Sequence, residues 1–164
     1  GEEVVECNAF APDLAVDIHN NAGGGDGAEA FYHYGGGKSK ALAENILKEV
    51  EKVGQNSRGA KVRKNNNGKD YYCFIRETAC PSVIVECAFV DNATDLKILA
   101  TEGKKKAMGE AIAKGILKTL GAEIQPNKGT LYRVQVGAYL VKENAEAMQK
   151  KIKAVGFDAF IVKE

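Results

Sequence analysis

The sequence lacks the features that would most directly indicate a membrane protein or a nucleic-acid-binding protein. No apolar run approaches the roughly 20 residues of a membrane-spanning helix, so no membrane span is predicted. The formal net charge is only +1, which gives no electrostatic reason to expect nucleic acid or an anionic membrane as a partner. Hydrophobic residues make up 45% of the chain and charged residues 27%, a balance typical of a soluble globular protein.

A paired cysteine motif is also missing. The four cysteines include no C-x-x-C pair, and their spacing is not that of a usual zinc site; they are Cys7, Cys73, Cys80 and Cys87. We therefore expect reduced cysteines with mostly structural roles. The chain starts at Gly1, and no charged segment leads into an apolar core, so no signal peptide is predicted within it.

Strand and helix patterns alternate along the first three quarters of the chain. Residues 13–19 alternate apolar and polar side chains, and residues 81–90 form an apolar run that predicts a strand buried on both faces. Residues 38–54 and 103–120 have apolar residues at helical spacing. The other segments are predicted as a short strand (28–34), a polar surface loop (56–70), a short strand or turn (71–79) and a short helix (94–101). The predicted fold class is α/β, with a mostly parallel sheet flanked by helices.

The end of the chain is predicted to form a separate small unit. Residues 122–130 have the composition of a linker, and residues 131–164 have a strand–helix–strand pattern. Such a βαβ unit is small for independent stability. The predicted organisation is a domain over residues 1–121, a linker over 122–130 and the βαβ unit over 131–164.

The glycine-rich stretch GGGKSK at residues 35–40 invites comparison with a phosphate-binding loop. The pattern G-x-x-x-x-G-K-[ST] would need a glycine at position 32, where the chain has Tyr32. We therefore predict a loop that leads into a helix, and nucleotide binding remains only a minor alternative.

Two polar residues interrupt the apolar strands. His19 ends the first strand just before a glycine-rich loop, and Glu86 lies inside the run 81–90. In open α/β sheets, ligand sites form at the carboxyl ends of the strands. Imidazole is a natural zinc ligand, and a carboxylate nearby can take a proton from a metal-bound water. The structural alternatives are a core histidine and a glutamate paired with a nearby lysine or arginine.

Four stretches in this order resemble the zinc-dependent N-acetylmuramoyl-L-alanine amidases of the Amidase_3 type. They are DLAVDIHNNA (13–22), GAEAFYHY (27–34), NSRGAK (56–61) and IRETACPSVIVECAFVDNATD (75–95). The resemblance covers residues 13 to about 120. The family usually has SIHAN where this chain has DIHNN, so Asp17 and Asn20 depart from the pattern while the histidine is kept. The family's Asn-x-x-Asp matches Asn92 and Asp95.

The resemblance implies a role for each matching residue. His19 would be a ligand of Zn²⁺, and Glu86 would be the catalytic glutamate that takes a proton from the zinc-bound water and passes it to the leaving amine. Asn20 and Arg76 would face the substrate, and Glu29 would support the site from behind. The implied substrate is the amide between N-acetylmuramic acid and L-alanine in peptidoglycan.

The same resemblance implies that part of the zinc site lies outside this sequence. The family's first histidine ligand and its glutamate ligand precede the stretch equivalent to residues 1–12. The chain has only two histidines, His19 and His33, and no family role falls on His33. We therefore expect about 50 further residues upstream, a length set by one strand–helix–strand unit.

The C-terminal stretch 131–162 resembles the first half of a SPOR domain, a module that binds peptidoglycan strands lacking stem peptides. Together the two resemblances imply a zinc amidase with a wall-targeting unit. Such a protein would act in the bacterial cell wall or outside the cell. If it is a phage endolysin or a mother-cell autolysin, it would first be released from the cytoplasm. Peptidoglycan is the expected partner. The alternative is a peptidoglycan-binding protein that kept the fold and lost the metal.

Overall fold

A computed structural model gives the fold of the chain and describes residues 1–122, 137–156 and 159–163. The chain divides into two compact units, residues 1–125 and 126–164. The predicted linker 122–130 spans this boundary, but all of it except residue 122 lies outside the described residues. Within those residues, no helix combines the length and the apolar character needed to cross a membrane.

The first unit is a four-stranded sheet with helices, as the fold-class prediction requires. Its elements in chain order are α1 (Glu2–Phe10), β1 (Ala15–Asn21), β2 (Ala28–Tyr32), α2 (Gly37–Lys52), β3 (Ser57–Lys61), α3 (Cys73–Glu77), β4 (Ser82–Phe89), α4 (Ala93–Ile98) and α5 (Glu102–Leu120). The predicted strands 13–19 and 81–90 and the predicted helices 38–54 and 103–120 are confirmed, with bounds that differ by one or two residues.

The strand order is β1-β4-β2-β3. The β1–β4 and β2–β3 pairs are parallel, which confirms a mostly parallel sheet, but β2 and β4 run antiparallel. The antiparallel pair arises because the short glycine-rich loop between β1 and β2 reverses the chain direction. Strand β4 then inserts between these two strands, so it is buried along its whole length, as the apolar run predicts.

Two segments differ from the prediction. The predicted loop 56–70 contains β3, and the predicted strand or turn 71–79 contains the five-residue helix α3. Strand β3 has no apolar alternation, and it forms because Ala60 pairs with Ala30 on β2 above the core. Helix α3 packs Ile75 against Phe31 and Ile84 of the sheet. Both elements are therefore stabilised by tertiary contacts and not by local sequence preference.

The main core lies between the sheet and helices α2 and α5. Leu42, Ile46 and Val50 of α2 are fully buried there against Val83 and Val85 of β4. The opposite face of the sheet is covered in part by the small cluster around Ile75 of α3. Because α3 is short, it leaves part of this second face without a covering helix among the described residues, and the polar residues of β1, β2 and β4 project there.

The second unit contains α6 (Lys142–Ala154), which confirms the helix of the predicted βαβ pattern. The predicted strand at 131–137 lies outside the described residues except for Gly137. The other predicted strand, 157–162, is described only from residue 159 onward, and residues 159–162 are in neither a helix nor a strand.

Candidate functional site

Three of the predicted site residues lie in one row across the sheet. His19 on β1 is the register partner of Glu86 on β4, and Glu29 on β2 is the register partner of the same Glu86 from the other side. Register partners project from the same face of a sheet. Val85 and Cys87, which flank Glu86, point into the main core, so the row lies on the opposite, partly covered face.

Glu86 is a buried carboxyl group with an unsatisfied oxygen. The residue is 9% exposed, and its Oε2 has no hydrogen-bond partner among the described residues. Burial raises the pKa of Glu86; the nearby His19 acts in the opposite direction, and the negative charges of Glu29 and Asp17 add to the rise. A buried carboxyl with a raised pKa and a free oxygen is suited to exchange protons with a bound reactant.

Glu29, in contrast, has every carboxylate oxygen occupied. Asn21 Nδ2 donates to Oε1 at 2.9 Å, Arg58 Nε donates to Oε2 at 2.9 Å, and the Lys61 ammonium also contacts Oε2. Burial acts to raise the pKa of Glu29, but the bonds and charges of Lys61 and Arg58 outweigh it and lower this pKa below its ordinary value. Two neighbouring carboxyl groups thus have opposite environments, as expected where only one of them handles protons.

Glu29→Gln is expected to lower the free energy of unfolding by about 2 kcal/mol at neutral pH, because it removes the charge that Arg58 and Lys61 neutralise. Since folding lowers the pKa of Glu29, its stabilisation is present above the pKa of an unfolded glutamate and is lost as the pH falls through the folded value. Urea denaturation over a pH series should therefore show the two proteins converging in acid.

A matched control for this prediction is Glu44→Gln. Glu44 is half-exposed on α2, and its nearest cation, Lys40, lies 3.8 Å away. An exposed pair of this kind contributes little, so this variant should match the unmodified chain at every pH. A stability loss for Glu29→Gln that stays constant from neutral to acidic pH would contradict the assigned role of the Glu29 charge.

His19 is the exposed end of the row. Its side chain is 53% exposed, and its Nε2 lies 2.9 Å from Oδ1 of Asp17, two residues earlier on the same face of β1. Histidines that bind metals commonly contact a carboxylate through their other ring nitrogen. The Asp17 contact engages Nε2, so Nδ1 is the ring nitrogen left for another partner.

The described residues contain no group of three or more His, Cys, Asp and Glu side chains arranged to hold a metal ion. A catalytic zinc site needs three protein ligands. His19 has the chemistry and exposure of one ligand, but the part of the chain that the structure describes does not supply a complete set. A zinc ion at His19 would need further ligands from a segment or a second chain beyond these residues.

The structure places the two predicted substrate-facing residues differently. Asn20 follows His19 directly and is exposed, at the point where the β1–β4 register shifts. Arg76 on α3 donates to the carbonyl oxygens of Asp70 at 2.9 Å and Tyr71 at 3.2 Å. It lines a cavity of about 330 Å³ together with Ser82, at the amino end of β4. Arg76 therefore lies toward the opposite end of β4 from the row of three.

The residues that match the family's Asn-x-x-Asp have structural roles. Asn92 caps α4 through the amides of Thr94 and Asp95. Asp95 is 1% exposed, and its Oδ2 accepts from the amides of Gly27 and Phe89, each at 2.8 Å. These bonds fasten the glycine-rich loop that follows His19 to the end of β4, which keeps the strand ends around the site together.

Sequence reasoning missed four residues that shape the site: Asp17, Asn21, Arg58 and Lys61. Asp17 and Asn21 lie two residues on either side of His19, so the period of two in a strand could have placed them on its face. Arg58 and Lys61 lie on β3, inside the segment predicted as a loop, and no local pattern points from them to Glu29.

Comparison with known proteins identifies the class. A family model for N-acetylmuramoyl-L-alanine amidases matches residues 2–118, and the chain belongs to this family. A model of the SPOR domain matches residues 96–163. The two matches overlap at α4 and α5, and the second starts earlier in the chain than the predicted unit 131–164.

Individual relatives agree with this family. The chain is 30% identical over 158 residues to the N-acetylmuramoyl-L-alanine amidase CwlM of Bacillus licheniformis, a match that covers 95% of this chain and 59% of the relative. Among solved structures, Cwp6 from Clostridium difficile has a TM-score of 0.71 at 41% identity, covering 73% of this chain and 20% of that one. The catalytic domain of CwlV from Bacillus (Paenibacillus) polymyxa has a TM-score of 0.62 at 28% identity, covering 74% and 65%. The chain thus spans about three fifths of the length of the curated relative CwlM.

Proposed function

We propose that this chain forms the catalytic glutamate half of a zinc-dependent amidase that hydrolyses the bond between N-acetylmuramic acid and L-alanine in peptidoglycan. The observation that carries the proposal is the register pairing of His19 with Glu86, whose Oε2 is buried and unpaired. Membership of the amidase family supports the choice of bond.

In this proposal the proton transfers belong to Glu86. As carboxylate, it takes a proton from the attacking water, and as carboxylic acid it gives that proton to the nitrogen of the leaving L-alanine. Burial raises the pKa of Glu86, which favours the neutral form that the second transfer requires. Glu29 stays ionised through Arg58 and Lys61 and holds the end of β2 in place beside Glu86.

Zinc, when bound, would polarise the scissile carbonyl and make water a stronger nucleophile. The contribution of this chain would be the imidazole of His19, oriented by Asp17. The exposed Asn20 beside it is proposed to contact the substrate. Arg76 is proposed to contact the substrate only when the substrate is long enough to reach the amino end of β4.

The proposed partner is peptidoglycan, and the proposed place of action is the bacterial cell wall or its outside. The SPOR match supports this, because wall binding by a second module would hold the amidase at its substrate. An amidase removes stem peptides, so in this proposal its product is the stripped glycan strand that the SPOR unit recognises.

His19→Ala is expected to lower the zinc occupancy of the completed site, since it deletes the one imidazole that this chain supplies there. Because the described residues do not supply a full ligand set, the measurement uses this chain joined to an amidase segment that carries the remaining ligands. Atomic spectroscopy should find about one zinc per completed chain and much less in its His19→Ala variant. The matched control is His33→Ala, because His33 instead lies 3.2 Å from Asp70 and outside the row. About one zinc per molecule in both the completed chain and its His19→Ala variant would remove His19 from the ligand set.

A second candidate function is a non-catalytic peptidoglycan-binding protein. The observation in its favour is that the described residues contain no complete group of metal-ligating side chains. Binding to purified peptidoglycan without zinc and without release of L-alanine amino groups would support it against the hydrolase. Zinc-dependent release of those amino groups would exclude it.

A further inference from the structure

Two of the four cysteines, Cys7 and Cys80, are neighbours near the amino end of β4. Cys7 is in α1, and Cys80 lies two residues before the start of β4. Burial, followed by the proximity of Cys7, raises the pKa of the Cys80 thiol, so the two side chains are neighbours although the residues are far apart in sequence. Both are partly exposed and reduced in the structure. The proposed amidase chemistry uses neither of them.

The backbone around this pair is held in place by Asn8, the neighbour of Cys7. Its Nδ2 donates to the carbonyl oxygen of Glu77 at 3.0 Å, and its Oδ1 accepts from the amide of Ala79 at 2.8 Å. Asn8 therefore fastens α1 to the segment just before Cys80 from both sides. Two neighbouring thiols on backbones fixed in this way are suited to form a disulfide.

The other two cysteines have different surroundings. Cys73 is exposed, and its Sγ lies 3.8 Å from the amino group of Gly1. Cys87 is buried inside β4, where burial raises the pKa of its thiol to about 11. Of the four cysteines, Cys7 and Cys80 are therefore the candidates for a disulfide.

We propose that Cys7 and Cys80 form an intramolecular disulfide when the chain meets an oxidant of the disulfide class. One thiolate of the pair attacks the external disulfide and releases one thiol of the oxidant. The second thiolate then attacks the mixed disulfide, which forms the Cys7–Cys80 bond and releases the other thiol. Two protein thiols are oxidised, and one external disulfide is reduced to two thiols.

The disulfide would lie near the amino ends of β1 and β4. The amide of Ala15, at the start of β1, donates to the carbonyl oxygen of Pro81 at 3.0 Å, next to Cys80. Within the described residues β1 pairs only with β4, so it is an edge strand of the sheet. A covalent link from α1 to Cys80 would hold this edge strand, which carries His19, against the strand that carries Glu86. A link that closes so long a loop also restricts the unfolded chain strongly.

The test uses the full chain and oxidised glutathione as the oxidant. Burial and the contact with Cys7 raise the pKa of the Cys80 thiol, so the incubation is done in mildly alkaline buffer to increase the thiolate fraction. The protein is then denatured, alkylated with iodoacetamide and weighed by mass spectrometry. The expected product is a monomer with two alkylated thiols, no glutathione adduct on Cys7 or Cys80, and a cross-linked peptide that contains both residues.

Three variants make the test specific. Cys7→Ser and Cys80→Ser should each lose the cross-link and carry glutathione on the remaining member of the pair. Cys73→Ser, which changes the exposed cysteine outside the pair, should form the cross-link as the unmodified chain does. Oxidation should also raise the melting temperature by roughly 5–10 °C in the unmodified chain and in Cys73→Ser, and in neither of the other two variants.

The proposal is overturned if all four thiols are alkylated after oxidation, if Cys7 and Cys80 each carry glutathione, or if the cross-link joins other cysteines or two chains. It does not depend on the amidase proposal, because thiol counting and melting require neither zinc nor substrate.

Discussion

Replacing Glu86 with glutamine is expected to lower the rate of amide hydrolysis by about 10²- to 10⁴-fold, the range set by loss of a positioned general acid–base group. Glutamine has nearly the same size and shape, but its amide can neither accept the proton of the attacking water nor return one to the leaving nitrogen. The measurement is the release of L-alanine amino groups from purified peptidoglycan, in the presence of zinc, by this chain joined to an amidase segment that carries the remaining zinc ligands.

The Glu86→Gln fold should remain intact. The residue is 9% exposed with Oε2 unpaired, so the native state gains little from the charge. We expect the free energy of unfolding to change by no more than about 1 kcal/mol. Zinc content should be unchanged, because His19 is untouched.

Glu110→Gln is the control for the activity measurement. Glu110 lies on the exposed side of α5, where its contact is with Lys106 at 3.9 Å. This variant should hydrolyse peptidoglycan at the same rate as the unmodified chain. Full activity of Glu86→Gln would exclude Glu86 as the proton-transfer group, and inactivity of the completed, zinc-loaded chain would contradict the catalytic proposal itself.

Gly115→Ala is expected to destabilise the first unit by about 1–3 kcal/mol. Gly115 lies on the buried side of α5, and a Cβ there would lie 2.5 Å from the Cα and 2.7 Å from the backbone nitrogen of Ile46 on α2. Because these are backbone atoms, the added methyl group cannot be accommodated by a side-chain rotation. It must push α5 away from α2 along their contact. Urea denaturation measures the change.

Gly109→Ala tests whether the effect comes from close helix packing. Gly109 lies six residues earlier on the exposed side of the same helix, and an added Cβ meets nothing within 4 Å. There alanine removes only the conformational entropy cost of glycine, so the variant should be more stable by up to about 1 kcal/mol. Equal stabilisation of both variants would show that helix propensity, and not the α2–α5 contact, decides the result.

The sequence predicted the elements whose pattern is strong and local. Helix α2 has apolar residues every three to four positions, and Leu42, Ile46 and Val50 are fully buried as that spacing requires. The apolar run before and after Glu86 predicted a strand buried on both faces, and every residue of β4 is buried. Such patterns depend only on the geometry of one element, so they need no knowledge of its neighbours.

Elements stabilised by their neighbours could not be predicted in the same way. The five residues of β3 have no apolar alternation, and those of α3 are too few for a helical pattern, so each depends on packing against strands formed elsewhere in the chain. The antiparallel direction of β2 relative to β4 likewise depends on where β4 inserts, which no single segment encodes.

The difference between what the sequence predicts and what the tertiary structure decides is clearest at the candidate site. A histidine at the end of one apolar strand and a glutamate inside another are properties of the sequence alone, and they draw attention to His19 and Glu86 because a polar group in such a strand is costly to bury without a partner. Only the tertiary structure decides that these two residues are register partners, that Arg58 and Lys61 neutralise Glu29 beside them, and that Cys7 and Cys80 are neighbours. The physical reason is that each of these contacts joins residues from distant parts of the chain, and their distances are set by how the strands and helices pack.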